Sequence, residues 1–167
     1  LSLVGSEMCI RDRYAGLGNS SGDAEVWEYN GSTWTKVGGD TLNSSWADST
    51  YGLLHTMTVY ENKLYAGIGA GYGDAEVWEY NGSTWTKVGG DALNSSWSNV
   101  HEYITSVNPH DGYLFAAIGG NENGDAEVWR YNGATWTQVG GDALNSSWPD
   151  NDFSNATSVV SLNGKLY

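Results

Sequence analysis

The sequence predicts an all-β fold of β-propeller blades, each a four-stranded antiparallel sheet, forming an incomplete ring of about three blades. Three observations predict it. Asp23, Asp74 and Asp125 stand 51 residues apart at each step, and a long period of high fidelity is the signature of a repeat architecture. Each period holds four short runs rich in β-branched and aromatic residues, broken by Gly and Asn turns, which suits strands and not helices. All nine tryptophans fall inside the repeats, and regularly spaced Trp is first a packing signal, because each ring buries a large area.

The copies are close. Residues 22–46 and 73–97 differ only at Thr41 versus Ala92, and residues 124–148 differ from the second copy at Arg130, Ala134 and Gln138. Residues 1–13 match no part of the repeat and hold the single cysteine, Cys9. This leader lacks the basic start and long apolar stretch of a signal peptide. It resembles translated sequencing-adapter read-through and is set apart as non-native. The repeat region, 14–167, therefore has no thiol, which excludes a disulfide framework, Cys-based zinc sites and Cys nucleophiles there. It divides into units of approximately 14–64, 65–115 and 116–167.

In the complete unit, residues 55–60 read as the first strand and Glu61-Asn62 as a turn. Residues 63–69 read as a second strand ending in glycines, and 70–73 as a loop. Residues 75–80 read as the third strand, Asn81-Gly82 as a hairpin turn, and 84–88 as the fourth strand. Gly89-Gly90-Asp91 then opens a longer connection through Trp97. The third unit parses as strands at 104–107, 113–119, 126–131 and 135–139, with a longer turn at 108–112. A lone sheet of this kind has two apolar faces, and stacked neighbours cover them. Closed propellers have about 4–8 blades, so the arc needs the remaining blades of a parent chain, or self-association, to close.

The runs Leu64-Tyr65-Ala66-Gly67-Ile68-Gly69, Val77-Trp78-Glu79-Tyr80-Asn81-Gly82 and Thr84-Trp85-Thr86-Lys87-Val88 resemble a kelch-like bacterial propeller repeat. The resemblance covers 14–167. It implies a glycine pair closing strand two, a Tyr in strand three and a Trp in strand four, all structural, with no catalytic residue. The pair departs to Gly-x-Gly in the first two copies and to Ala117-Ile118-Gly119-Gly120 in the third.

In an up-and-down blade, the loop from strand two to three and the connection to the next blade share one end. Sequence divergence concentrates there: Asn19-Ser20-Ser21, Ala70-Gly71-Tyr72 and residues 120–123 differ, as do 47–54, 98–103 and 149–156. Loops on a rigid scaffold commonly carry function, and they also vary through relaxed constraint. On this face Tyr51, Tyr72, Tyr103 and Phe153, with Asn121 and other amides and carboxylates, suit a sugar, whose apolar face stacks on a ring. Trp46, Trp97 and Trp148 stand at the entrance to the connections as further ligand candidates, with inter-blade packing as the competing reading.

Other chemistry is less well supported. Asp23/Glu25, Asp74/Glu76 and Asp125/Glu127 pair carboxylates at i and i+2, a weak calcium candidate that falls short of the roughly 6–8 oxygens calcium takes. The competing reading is that each Asp caps the turn into strand three. His55, His101 and His110 do not occupy equivalent repeat positions. No nucleophile elbow, phosphate loop or dinucleotide fingerprint is present. A net charge of −13 disfavours nucleic acid and anionic membranes, and no apolar run approaches the ~20 residues that span a bilayer.

The expectation is therefore a binding or adhesion module without catalysis or a cofactor, at the surface of or outside a bacterial cell. Its expected ligand is a carbohydrate. Two alternatives stay open: a scaffold for protein partners, and a fragment of a propeller enzyme whose active site lies in other blades.

Overall fold

The computed structural model describes residues 13–20, 22–47, 51–122, 124–149 and 152–167. Strands β1 (Arg13–Leu17), β2 (Glu25–Tyr29) and β3 (Trp34–Gly38) form a three-stranded sheet in chain order. β4 (Leu53–Tyr60), β5 (Lys63–Gly69), β6 (Glu76–Tyr80) and β7 (Trp85–Gly89) form a complete antiparallel blade. β8 (Tyr103–His110), β9 (Tyr113–Gly119), β10 (Glu127–Tyr131) and β11 (Trp136–Gly140) form a second. β12 (Ser161–Leu162) and β13 (Lys165–Leu166) pair as a short hairpin. Arg13 belongs to β1 and pairs with Tyr29, so the first sheet takes in one residue assigned to the leader. The rest of the leader, Cys9 included, lies outside the described residues.

Three local readings change. The first strand of each complete blade starts two or one residues earlier than expected, at Leu53 and Tyr103, with a bulge at Leu54/Thr56 and at Ile104/Ser106. The long turn expected at 108–112 is instead strand up to His110, closed by the two-residue turn Asp111-Gly112. Pro109 fits there because β8 pairs only with β9, so an edge strand absorbs its missing N–H. The Asn81-Gly82 hairpin has a four-residue loop, since Tyr80 pairs with Trp85. Asn81 Oδ1 holds that loop by accepting from Ser83 N–H at 2.9 Å and Thr84 N–H at 3.0 Å, an Asx turn.

The blade-to-blade connection holds a short 3-10 turn, Leu93–Ser95, repeated at Leu42–Ser44 and Leu144–Ser146. Asp91, Ala92, Asn94 and Ser95 all have φ between 53° and 60°, a left-handed path that ordinarily disfavours side chains. Local bonds fix it. Asn94 Nδ2 donates to Val88 O at 3.0 Å, Gly90 N–H to Ser96 Oγ at 2.9 Å, and Ala92 N–H to Trp97 O at 2.8 Å.

Packing between blades repeats as faithfully as the sequence. Trp85 is buried against the preceding sheet, where its Nε1 donates to Val37 O at 2.8 Å. It stacks on Tyr80 at 4.9 Å and meets Trp46 edge-on at 5.2 Å. Trp136 repeats the arrangement on Val88 O, Tyr131 and Trp97. Close approach of the next blade sets the residue size at the end of strand two. A Cβ on Gly67 would run into Ile104, and one on Gly16 into Leu54. The third unit carries Ala117 instead, in a cluster with the small Ala156. This explains why the glycine pattern departs in that copy.

Candidate functional site

The sheet order places the β5–β6 loop and the β7–β8 connection at one end, and three bonds knit them. Gly73 N–H and Ala75 N–H both donate to His101 O at 3.2 Å, and Trp97 Nε1 donates to Ala75 O at 2.7 Å. Tyr51 O and Phe153 O accept the same pair of amides in the neighbouring units. Tyr51, His101 and Phe153 therefore occupy one structural position, varied from junction to junction.

First strands lie side by side across the arc, since Val107 N–H on β8 donates to Thr56 Oγ1 on β4 at 3.2 Å. Their loop ends bring together His55, Glu102, Tyr103 and Asn121. The His55 and Tyr103 rings meet edge-on at 5.5 Å, and a His55 nitrogen lies 3.2 Å from Gly69 O. Asn121 Nδ2 donates to Glu102 Oε2 at 2.5 Å and lies 3.5 Å from the Tyr103 hydroxyl. Glu102 is buried. Its hydrogen bond to the Tyr103 phenol, helped by burial and its charge, raises the Tyr103 pKa above the ordinary value. A proton on Tyr103 is thus held, which makes the phenol a donor at neutral pH.

The expected site residues separate into groups. Tyr103 and Asn121 join this cluster. Tyr72 and Phe153 stand exposed on the same face but apart from it. Tyr51 is half-buried, and burial followed by the Glu76 carboxylate raises its phenol, so it packs across a junction. Trp46 and Trp97 are corrected: both are 2 % exposed, and their indole N–H groups bond to Ala24 O and Ala75 O. They tie the connection to its own blade and offer no surface to a ligand. Trp148 makes the same bond to Ala126 O but is only half-buried, lining an open groove. His55 and Glu102 were missed. Glu102 had a legible signal: the residue after the junction aromatic is Gly52 or Ser154 in the other copies, so a carboxylate there breaks the repeat.

The paired carboxylates face protein donors. Glu25 accepts from Trp27 Nε1 at 2.7 Å and Lys36 Nζ at 2.5 Å, and Glu76 repeats both bonds with Trp78 and Lys87. Glu127 accepts from Trp129 Nε1 at 2.6 Å. Asp23 and Asp125 accept the backbone N–H of Ser20 and Glu122, each at 3.0 Å, which is the turn-capping geometry. Burial raises the pKa of Asp74, with Glu76 adding to it and a Gly71 backbone bond opposing. Among the described residues, no three His, Cys, Asp or Glu side chains converge to hold a metal ion.

Within residues 124–148, the third unit differs in two charges: Arg130 replaces a glutamate, and a lysine is lost. Gln138 replaces the lysine, and its Nε2 donates to Asp142 at 3.1 Å. Across the junction His101 approaches, with Nε2 3.5 Å from Glu127 and Nδ1 3.9 Å from Asp125. Nδ1 is buried without a hydrogen-bond partner among the described residues. Burial lowers the His101 pKa below 6.5, against the pull of Asp125 and Asp142.

No protein-family model matches the chain, and no curated protein matches it. Solved structures do. A Trypanosoma rangeli sialidase in complex with sialic acid matches with a TM-score of 0.53 and 14% identity, over 86% of this chain and 24% of that chain. A mutant of the same sialidase, displaying trans-sialidase activity, matches with a TM-score of 0.51, equal identity and equal coverage. The shared feature is the β-propeller fold, of which this chain holds a partial arc. It spans 24% of the length of these structures. The expectation of a chain without catalysis is corrected by these matches, since both matched propellers are sialidases, which are enzymes.

Proposed function

We propose that this chain contributes to carbohydrate recognition outside the cell, with sugar bound at the loop end of the first strands, against Tyr103. The observation that carries the reading is the convergence of His55, Glu102, Tyr103 and Asn121. An aromatic ring offers a stacking surface, and a carboxylate and an amide beside it accept from and donate to hydroxyls. The two sialidases support a role for sugars in this fold, one of them being solved with sialic acid bound. The site itself favours a neutral sugar. Glu102 lies near enough to Asp74 to act on its charge, on a chain of net charge −13, and like charge repels a sialic acid carboxylate.

The test is a glycan array on the folded chain, repeated with Tyr103→Ala. Binding of neutral glycans that falls at least about tenfold in the variant, a change of roughly 1.4 kcal/mol, is expected. Equal binding by both proteins, or none by either at high glycan density, overturns the reading.

A second reading, cleavage of a glycosidic bond, is favoured by the Tyr103 phenol and the Glu102 carboxylate, which meet at Asn121. Glycosidases place acidic groups on both sides of the bond they break. Release of fluorophore from an aryl glycoside, abolished by Glu102→Gln, is the result that supports it. Unchanged release in that variant refutes it.

A further inference from the structure

Tyr51, His101 and Phe153 each cap the preceding blade through a backbone carbonyl. Of the three, only His101 gains a charge near neutral pH. In the second blade the Tyr51 hydroxyl bonds to Glu76, and Lys87 holds both Glu76 and Asp91. In the third blade His101 takes the place of Tyr51, and Gln138 takes that of Lys87. Two groups at one junction thus differ together: a phenol and an ammonium give way to an imidazole and an amide.

His101 is 5% exposed, and its Nδ1 has no hydrogen-bond partner among the described residues. Three carboxylates face the ring. Asp125, in the β9–β10 loop, lies 3.9 Å from Nδ1, and Glu127, on β10, lies 3.5 Å from Nε2. Asp142, in the turn after β11, acts on the ring by its charge. The two nearer carboxylates are held by their own bonds, Asp125 to Glu122 N–H at 3.0 Å and Glu127 to Trp129 Nε1 at 2.6 Å. An imidazolium here has opposite charges around it but no hydrogen bond at Nδ1, and burying a charge in that state is costly. Protonation therefore drives the ring to move, inward to the carboxylates or outward to water. Either motion pulls on His101 O. Its bonds to Gly73 and Ala75 N–H are 3.2 Å long, at the far end of the hydrogen-bond range.

Glu102 and Tyr103 follow His101 directly in the chain. Glu102 N–H donates to Gly119 O at 3.0 Å, and its carboxylate accepts from Asn121. A shift of His101 is passed to this cluster through one peptide bond.

We propose that His101 is a proton-operated latch: its protonation frees the β7–β8 connection and takes Glu102, Tyr103 and Asn121 out of their sugar-binding arrangement. The proposal rests on the sugar reading of that cluster and adds its regulation. His101 touches no ligand and acts as a positioning residue. The direction follows from linkage. Burial lowers the His101 pKa below 6.5 while the latch is closed, and the freed ring regains the ordinary value. The latch is therefore fully closed above pH 6.5. It weakens as the pH falls below that value, by at most about tenfold per pH unit for one proton, and the loss levels off below the lowered pKa.

Two readouts on the full chain, at about pH 7.5 and about pH 5 on either side of the histidine range, test this. The first uses no ligand: amide exchange followed by ¹⁵N NMR, corrected for the intrinsic rate at each pH. Protection of Gly73 and Ala75 is expected to fall by about threefold or more in acid. Gly22 and Ala24, held by Tyr51 O, are expected to keep theirs. The second is the neutral-glycan array, whose signal is expected to fall over the same interval. In His101→Phe both readouts are expected to match the wild type at the higher pH and to change little in acid. Should that variant fail to fold, His101→Tyr with Gln138→Lys, which copies the second blade, takes its place. An equal fall at both amide pairs, or a fall that persists in the variant, overturns the latch. So does a glycan signal that holds in acid while Gly73 and Ala75 loosen. Binding of no glycan at either pH overturns the sugar reading, and the latch then stands or falls on the amides.

Discussion

At the scale of single residues, one of the two charge differences between the second repeat and residues 124–148, at Gln138, has a direct consequence. Burial disfavours the charge on Lys87, but Asp91 and Glu76 outweigh it and raise its pKa above 10.5. Lys36 is raised in the same way, and its bond to Glu25 lowers that carboxyl below 4.5, against burial. The third blade has Gln138 at this place. Gln138→Lys is expected to stabilise the chain by about 0.5–1 kcal/mol at pH 7, the range of a partly exposed ion pair, read as a shift in urea midpoint. The gain should be complete below pH 10.5 and fade as the pH rises through the raised lysine value. It should also fade under acid, as the pH falls below 4.5 through the lowered carboxylate value.

His101 has the opposite linkage. Its pKa in the fold lies below 6.5 because it is buried, so below pH 6.5 the unfolded chain binds the extra proton and stability falls. The melting temperature should drop as pH is lowered from 6.5, and His101→Phe, the residue type of the equivalent Phe153, should flatten that slope. A slope that persists in the variant would assign the effect to the carboxylates alone.

At the scale of elements, the fit between strand two and the next blade is a matter of paired size. Gly67 faces Ile104, and Ala117 faces Ala156. Gly67→Ala and Ile104→Ala should each destabilise, while the double variant, which copies the third unit, should lose less than the sum by about 1 kcal/mol or more. A double-mutant cycle in urea measures it, and strict additivity would deny the contact. The left-handed connection makes a second prediction. Ala92 at φ 59° should gain about 0.5–1 kcal/mol when replaced by Gly, which takes that conformation without a Cβ penalty.

These elements also mark what the sequence reveals. The 51-residue period and the alternation of glycine turns with β-branched runs disclose every blade strand, because backbone pairing follows local pattern. β5 and β9 have the expected boundaries. The left-handed turn at 91–95 is hidden, since Ala, Asn and Ser there have no bias toward positive φ strong enough to read. Pro109 misleads for the related reason that proline marks turns, and only the edge position of β8 admits it. The binding face follows from topology. Its cluster depends on which side chains meet across blades, and Glu102 becomes visible only when unequal residues are compared at equal repeat positions.

At the scale of the whole molecule, one junction built from Trp, Gly and a backbone carbonyl is repeated from sheet to sheet. Trp85→Ala should cost about 3–5 kcal/mol in unfolding free energy, the range for a buried large aromatic. Trp34→Ala, at a residue 49% exposed, should cost far less.

Hydrogen exchange at the nine tryptophan indoles, followed by ¹⁵N NMR, tests the repeated junction most directly. Slow exchange is expected for Trp46, Trp85, Trp97 and Trp136, each bonded to a backbone carbonyl. Trp34, which is 49% exposed, should exchange fast. Fast exchange at Trp85 and Trp136 would contradict the junction.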